Sequence, residues 1–219
     1  MQVLLVHSPL VGPTTWRWVA EELDAHGHDV VVPDLRPPST SGDPAAFLSA
    51  AGAAAPGVWR RPLVVGHSGA GFFLSSIAAT VGAAHTVYVD AGLAPGPGRH
   101  MPGADFLGQL RDLTEDGVLR PWSTWWGEGT MRFLIPDDER RRVVEQELPR
   151  VPLRFYETAV ELSAPTGSSE SSYVLLSETY RPEAERAVEL GWTVTVRLGG
   201  HLDLVNDPQP IAAALEAVL

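Results

Sequence analysis

The stretch that most restricts what this chain can fold into is Pro62–Phe73, PLVVGHSGAGFF. Leu63, Val64 and Val65 form a short apolar run suited to a buried parallel strand. Gly66-His67-Ser68-Gly69-Ala70-Gly71 then breaks the run, and Phe72, Phe73, Leu74 and Ile77 resume at helical spacing. The pattern predicts a strand, a sharp turn and a helix. A serine at the apex of such a turn is held in strained backbone geometry, where only small neighbours let strand and helix pack closely. Its hydroxyl projects from the edge of the sheet, and the first amides of the helix point towards whatever it attacks. The spacing approximates Gly-x-Ser-x-Gly, with Ala70 in the fifth place and Gly71 one residue later. Alanine is nearly as small, so the departure is mild.

Composition limits what such a turn can serve. A chain of 219 residues suits a single domain with a sizeable core. A formal net charge of −11 argues against nucleic acid and anionic membranes, both of which attract basic surfaces. Met1 leads straight into QVLLV without a basic leader, and no apolar run reaches membrane-spanning length, so a soluble, cytoplasmic protein is expected. The chain has no cysteine, which excludes disulfides, thiolate metal sites and a cysteine nucleophile. Every basic residue is arginine, which removes Schiff-base chemistry and lysine-anchored pyridoxal phosphate. GHSGAG lacks the glycine spacing and downstream acid of a dinucleotide fingerprint, and no metal-ligand constellation is present. The expected partner is a small-molecule substrate, without cofactor or metal, and a homodimer stays open.

From the start of the chain, Val3–Val6 reads as a strand ending in the turn-rich His7–Pro13, which runs into Trp16, Val19, Ala20 and Leu23 at helical spacing. His26-Gly27-His28 reads as a glycine-capped surface turn before strand Val30–Val32 rather than as a metal pair. Pro33–Pro38 opens a loop, and Pro44–Ala55 is an alanine-rich helix leading to the serine turn. Alternating strands and helices predict a parallel sheet with right-handed crossovers. Thr86–Val89 is the next strand, ending at Asp90-Ala91-Gly92. Between about residues 95 and 165 the chain turns rich in proline and charge and shows no strand pattern. Asp105–Thr114, Pro136–Glu147 and Leu153–Leu162 read as its helices, and a non-repeating helical insertion here predicts a lid over the site. Gly167–Ser172 reads as a polar linker, Tyr173–Leu176 as a strand, Pro182–Leu190 as a helix and Thr193–Leu198 as the last strand. Gly199-Gly200-His201 follows, and helix Ile211–Leu219 closes the chain. The fold class is α/β, a mostly parallel, doubly wound sheet with a helical lid insertion, as one domain over residues 1–219.

A serine turn, then an insertion, then a late Gly-Gly-His201 loop resembles the order of the α/β-hydrolase superfamily along nearly the whole chain, specifically in Ser68 and His201. His7, with Gly12 five residues on and Trp16 nine on, is similar to the branch that holds plant hydroxynitrile lyases and small-ester esterases. The resemblance implies Ser68 as nucleophile and His201 as its base, because a serine hydroxyl is too weakly acidic to attack without an imidazole in reach. His85 and His100 lack that context. Two carboxylates stay open for orienting the imidazole. In most of the superfamily the acid follows the strand read here as Tyr173–Leu176. This chain has Ser177-Glu178-Thr179-Tyr180 there, with Thr179 or Tyr180 in the aspartate's place and Glu178 beside it. Tyr88–Pro95 resembles the segment that carries the acid in some haloalkane dehalogenases, which makes Asp90 the preferred candidate. Asp203 and Asp207 read as loop and helix-cap residues.

The resemblance also implies an oxyanion hole, with the Gly69 N–H as one donor. In the resembling branch the second donor is the residue two after His7, here Pro9, which has no N–H. Leu10 through a shifted loop, the Ser8 hydroxyl, or an incomplete hole are the alternatives. His67, beside Ser68, completes this candidate oxyanion and substrate-binding set. Trp122 and Trp126, with Trp125, Phe106, Met131 and Phe133, give the insertion an aromatic stock that suits a flat or bulky apolar substrate. Arg140-Arg141-Arg142 reads as an ion-paired helix face. The implied activity is cleavage of a carboxylic ester or thioester of a small to medium apolar substrate through an acyl-enzyme. A lyase, isomerase or cyclase using Ser68 and His201 for proton transfer is the alternative, which Pro9 favours, and a non-catalytic binding relative is a third reading.

Overall fold

The computed structural model describes residues 1–164 and 170–218. Its core is a six-stranded sheet of β1 (Gln2–Val6), β2 (Asp29–Val31), β3 (Leu63–Ser68), β4 (His85–Ala91), β5 (Glu170–Leu175) and β6 (Thr193–Val196), in the order β6-β5-β4-β3-β1-β2. All five pairings are parallel. Central strands of such a sheet are covered on both faces, which is why Val3–Val6 reads as an unbroken apolar run and is wholly buried.

The period-2 alternation of strand side chains divides the core in two. Leu4, Val6, Val64, Tyr88, Tyr173 and Leu175 point to one face, where they meet α2 (Pro44–Ala53), α3 (Gly71–Val81) and α4 (Arg181–Glu189). Val3, Leu5, Leu63, Val65, Val87 and Val174 point to the other, against α1 (Arg17–Ala25) and α5 (Pro208–Glu216). The sheet is therefore doubly wound. α1 follows a single 3-10 turn, Pro13–Trp16, and the Asp43 carboxylate caps α2 by accepting from Ala45 N at 2.9 Å.

The excursion between β4 and β5 departs from expectation. It contains strands: Gly98–His100 pairs antiparallel with Val160–Leu162, and Thr114–Glu115 with Val118–Leu119. The second pair is closed by Asp116 and Gly117, both at positive φ. The expected helix Leu153–Leu162 is a short one, Arg154–Glu157, followed by that strand. Helix Asp138–Glu145 lies where expected and is capped by Asp137. Helix Thr130–Leu134 and the 3-10 turn Trp122–Thr124 are additional, as is the short helix Arg36–Thr40 inside the loop expected at Pro33–Pro38, where two prolines fit the first helical turn. Part of the expected linker, residues 165–169, lies outside the described residues, and from Glu170 the chain is already strand. Leu107, Leu110 and Phe155 of the excursion join the first core cluster, and Met131, Ile135 and Val144 the second. Among the described residues no helix is long and apolar enough to cross a membrane.

Candidate active site

Ser68 ends β3 with φ at 57°, in the left-handed region. Holding a non-glycine residue there costs on the order of 1–3 kcal/mol and persists only where the surroundings impose it. The register of β3 against β4 slips at this point. His67 opposes Val89 but Ser68 opposes Ala91, so Asp90 is the extra residue of a bulge and is itself left-handed, with φ at 43°. Tyr173 braces the bulge, its hydroxyl accepting from Ala91 N and donating to Ala91 O, each at 2.9 Å. Gly71 makes the close packing possible, since a Cβ there would stand 2.3 Å from Gly92 O and 2.9 Å from Ala91 Cβ. The contact that requires glycine therefore falls at Gly71, and Ala70 is buried in the core instead.

Asp90 is completely buried and fully hydrogen-bonded. Its Oδ1 accepts from the amides of Leu176 at 2.8 Å and Ser177 at 2.9 Å. Its Oδ2 accepts from Ser177 Oγ at 2.6 Å and His201 Nδ1 at 2.7 Å. Burial alone would raise its pKa, but these hydrogen bonds and the nearby imidazole outweigh it and hold the carboxyl below its ordinary value. The carboxylate thus keeps the ring proton on Nδ1 and leaves Nε2 as a proton acceptor. Glu178 is elsewhere. Its side chain is exposed and ion-paired with Arg181, because the turn Glu178–Tyr180 carries it to the outside.

Tyr180, two residues on, was not among the expected site residues. Its ring stacks on His201 with centroids 5.0 Å apart and planes 7° from parallel, and its hydroxyl lies 3.2 Å from Ser68 Oγ. Burial pushes that phenol up to about 12. Ser68 has this hydrogen bond to Tyr180 and, among the described residues, none to His201. The only trace in the sequence was an aromatic residue where the resemblance placed an aspartate.

His67 belongs to the support of the site rather than to its lining. It is buried, its Nε2–H donates to the His201 carbonyl at 2.9 Å, and its ring centre lies 4.4 Å from that of His201. Burial, with the adjacent His201, holds its pKa far below the usual histidine range. His7 is also buried, donating from Nδ1 to Ser8 O at 2.8 Å and accepting at Nε2 from Leu35 N at 2.9 Å. Burial lowers it to about 4, so the ring is a neutral clamp on the loop after β1.

That loop lies against the serine turn. A Cβ built on Gly69 would be 3.1 Å from Ser8 Oγ and 3.5 Å from Pro9 Cδ. The Leu10 amide donates to Ser8 Oγ at 3.4 Å, so it offers no free N–H through a shifted loop. The Gly69 amide donates to no group among the described residues. Gly12 admits the Glu147 side chain, which accepts from Thr14 N at 2.9 Å and ties the excursion to this loop. Trp122 and Trp126 pack edge to face on each other with centroids 5.0 Å apart, Trp126 being 54% exposed, and neither ring stacks on His201 or Tyr180.

Two cavities lie away from these groups. One of 590 Å³ is at the amino ends of the strands, lined by Gln2, Leu63, His85 and Glu170, and one of 720 Å³ is within the excursion, lined by Thr124, Met131, Arg132 and Arg141. Among the described residues no group of three or more His, Cys, Asp or Glu is placed to hold a metal, and His26 and His28 both hydrogen-bond Glu216.

Comparison with known proteins identifies the family and the fold. The sequence matches the model of the alpha/beta hydrolase family over residues 3–214. The chain belongs to that family. No curated protein matches it in sequence. Among solved structures it is similar to polyneuridine aldehyde esterase, at a TM-score of 0.75 and 17% identity over 99% of this chain and 98% of that one. A methylesterase from Arabidopsis superposes at a TM-score of 0.72 with 16% identity over 100% and 98%. A variant of tomato methylketone synthase I complexed with beta-ketoheptanoate superposes at 0.76 with 16% identity over 99% and 96%. At such identities the likeness carries the alpha/beta hydrolase fold and leaves chemistry to the residues of this chain.

Proposed function

We propose that the protein is a serine hydrolase that cleaves a carboxylic ester or thioester of a small to medium apolar substrate through an acyl-enzyme. The observation that carries this reading is the left-handed Ser68 at a strand–helix turn, beside an imidazole whose Nδ1–H is held at 2.7 Å by the buried Asp90 carboxylate. Two of the similar structures are esterases by their descriptions, which supports ester chemistry here.

In the proposed mechanism Ser68 Oγ attacks the carbonyl carbon as its proton passes to His201 Nε2. Asp90 stabilises the imidazolium so formed. The hydrogen bond from Ser68 to the imidazole forms with substrate in place, since catalytic hydrogen bonds often tighten only in the complex. The oxyanion takes the unused Gly69 N–H and the Ser8 hydroxyl. Because Leu10 N–H donates into Ser8 Oγ, the Ser8 proton is free to point at substrate. Collapse breaks the bond to the leaving oxygen or sulfur, which takes the proton from Nε2, and water repeats the sequence on the acyl-enzyme. The excursion acts as the lid, with Trp122 and Trp126 as apolar contacts for substrate.

Turnover of a panel of aryl esters, alkyl esters and acyl thioesters tests the proposal. Hydrolysis of at least one class, abolished in Ser68→Ala, is the expected result. A folded wild type inert towards even the activated aryl esters would overturn it. Pro9 favours a second reading, in which the Ser68–His201 pair moves protons for a lyase or isomerase that needs no complete oxyanion hole.

A further inference from the structure

Resting on the serine-hydrolase reading, we propose that Tyr180 is a further catalytic residue, its hydroxyl donating to Ser68 Oγ while its ring fixes the plane of the His201 imidazole.

Both contacts are geometric. The hydroxyl lies 3.2 Å from Oγ, and the two rings are stacked within 7° of parallel at 5.0 Å. The backbone holds Tyr180 there through the same carboxylate that holds the imidazole. Asp90 binds the Leu176 and Ser177 amides and the Ser177 hydroxyl, which anchors the start of the loop after β5. Tyr180 N then donates to Ser177 O at 3.2 Å, closing a turn that sends Glu178 outwards and Tyr180 inwards, immediately before α4. One buried carboxylate therefore sets the position of the base and of the ring stacked on it.

The direction of the hydrogen bond follows from what Ser68 must do. Its proton has to leave for His201 Nε2, so a productive second contact on Oγ is one that Oγ accepts. The phenol suits this role because it keeps its proton across the neutral range. During attack, negative charge grows on Oγ as its proton departs, and the Tyr180 O–H stabilises it. In deacylation the water oxygen bonds to the acyl carbon, the carbon–Oγ bond breaks with its electron pair going to Oγ, and the Nε2 proton transfers to Oγ. Tyr180 stabilises that leaving oxygen and ends each step still protonated. The stacked aromatic face also favours the imidazolium that exists between the two transfers.

The test is Tyr180→Phe, which keeps the ring, and Tyr180→Leu, which removes it, measured for ester turnover and for the rate of fluorophosphonate labelling of Ser68. Tyr180→Phe should lower kcat about tenfold with KM within about twofold, slow labelling by a similar factor and shift the unfolding midpoint by no more than the loss of one hydrogen bond allows. Tyr180→Leu should lower kcat about a hundredfold in all. A Tyr180→Phe variant that labels and turns over as fast as wild type, or faster, would overturn the proposal, and that variant suffices should Tyr180→Leu not fold. Failure of the wild type to label at Ser68 would instead remove the hydrolase reading, and this assignment with it.

Discussion

Replacing Asp90 with asparagine changes the chemistry at the centre of the site while keeping its volume. Asparagine Oδ1 can still accept from the amides of Leu176 and Ser177, which now meet Asp90 Oδ1 at 2.8 and 2.9 Å. The group replacing Oδ2 is an NH₂, and it faces His201 Nδ1 across the present 2.7 Å contact. A donor there forces Nδ1 to accept, which moves the ring proton to Nε2. The nitrogen that should take the Ser68 proton then already carries one and has no lone pair left to accept it. The charge that stabilises the imidazolium disappears as well. Together these changes are expected to lower kcat/KM for an aryl ester by about 10⁴, or roughly 5 kcal/mol of transition-state stabilisation. The fold should lose less than about 2 kcal/mol, because both amide contacts persist. Kinetics are read beside urea unfolding, with Glu178→Gln in parallel. That variant should stay within about twofold, since an exposed ion pair contributes little. Asp90→Asn retaining more than about a tenth of wild-type activity would refute the reasoning, as would a collapse of activity in Glu178→Gln.

Three further outcomes are expected. Gly71→Ala places a Cβ 2.3 Å from the Gly92 carbonyl, where backbone would have to move, so urea unfolding should show a loss of about 3 kcal/mol; an unchanged midpoint would contradict the packing described. Ser8→Ala should lower kcat about a hundredfold with folding intact, and full activity would place the second oxyanion donor elsewhere. Acid should destabilise the protein through His7. Its folded pKa of about 4 lies below the ordinary 6.5, so the unfolded chain binds more protons below pH 6.5, and stability falls from there until pH 4. His67, also buried with a depressed pKa, acts in the same direction. His7 alone accounts for about 2 kcal/mol between pH 7 and pH 5, and urea midpoints flat over that range would be the contrary result.

The sheet was legible because its strands are buried on both faces. Val3–Val6 and Leu63–Val65 are short apolar runs of the kind a covered parallel sheet accommodates, and the serine turn is marked by small residues that the contact at Gly71 requires. The excursion was not legible to the same depth. Gly98–His100 and Val160–Leu162 are three-residue strands with 59 residues between them, too short to show a period and paired only by tertiary structure. The partners of the imidazole divide in the same way. Ser68 and His201 stand in recognisable local contexts. Asp90 is selected by a bulge that displaces the β3–β4 register, and Glu178 is turned outwards by a three-residue 3-10 turn; neither event has a signature in composition. Tyr180 has no local signature either, because its contacts with His201 and Ser68 are made only once the turn Glu178–Tyr180 folds the ring inwards.

Intact-mass analysis after incubation with a fluorophosphonate, on the wild type and on Ser68→Ala, addresses the central claim directly. An activated serine predicts one adduct on the wild type and none on the variant. A well-folded wild type that gains no adduct, or a Ser68→Ala variant that gains the same one, would contradict it.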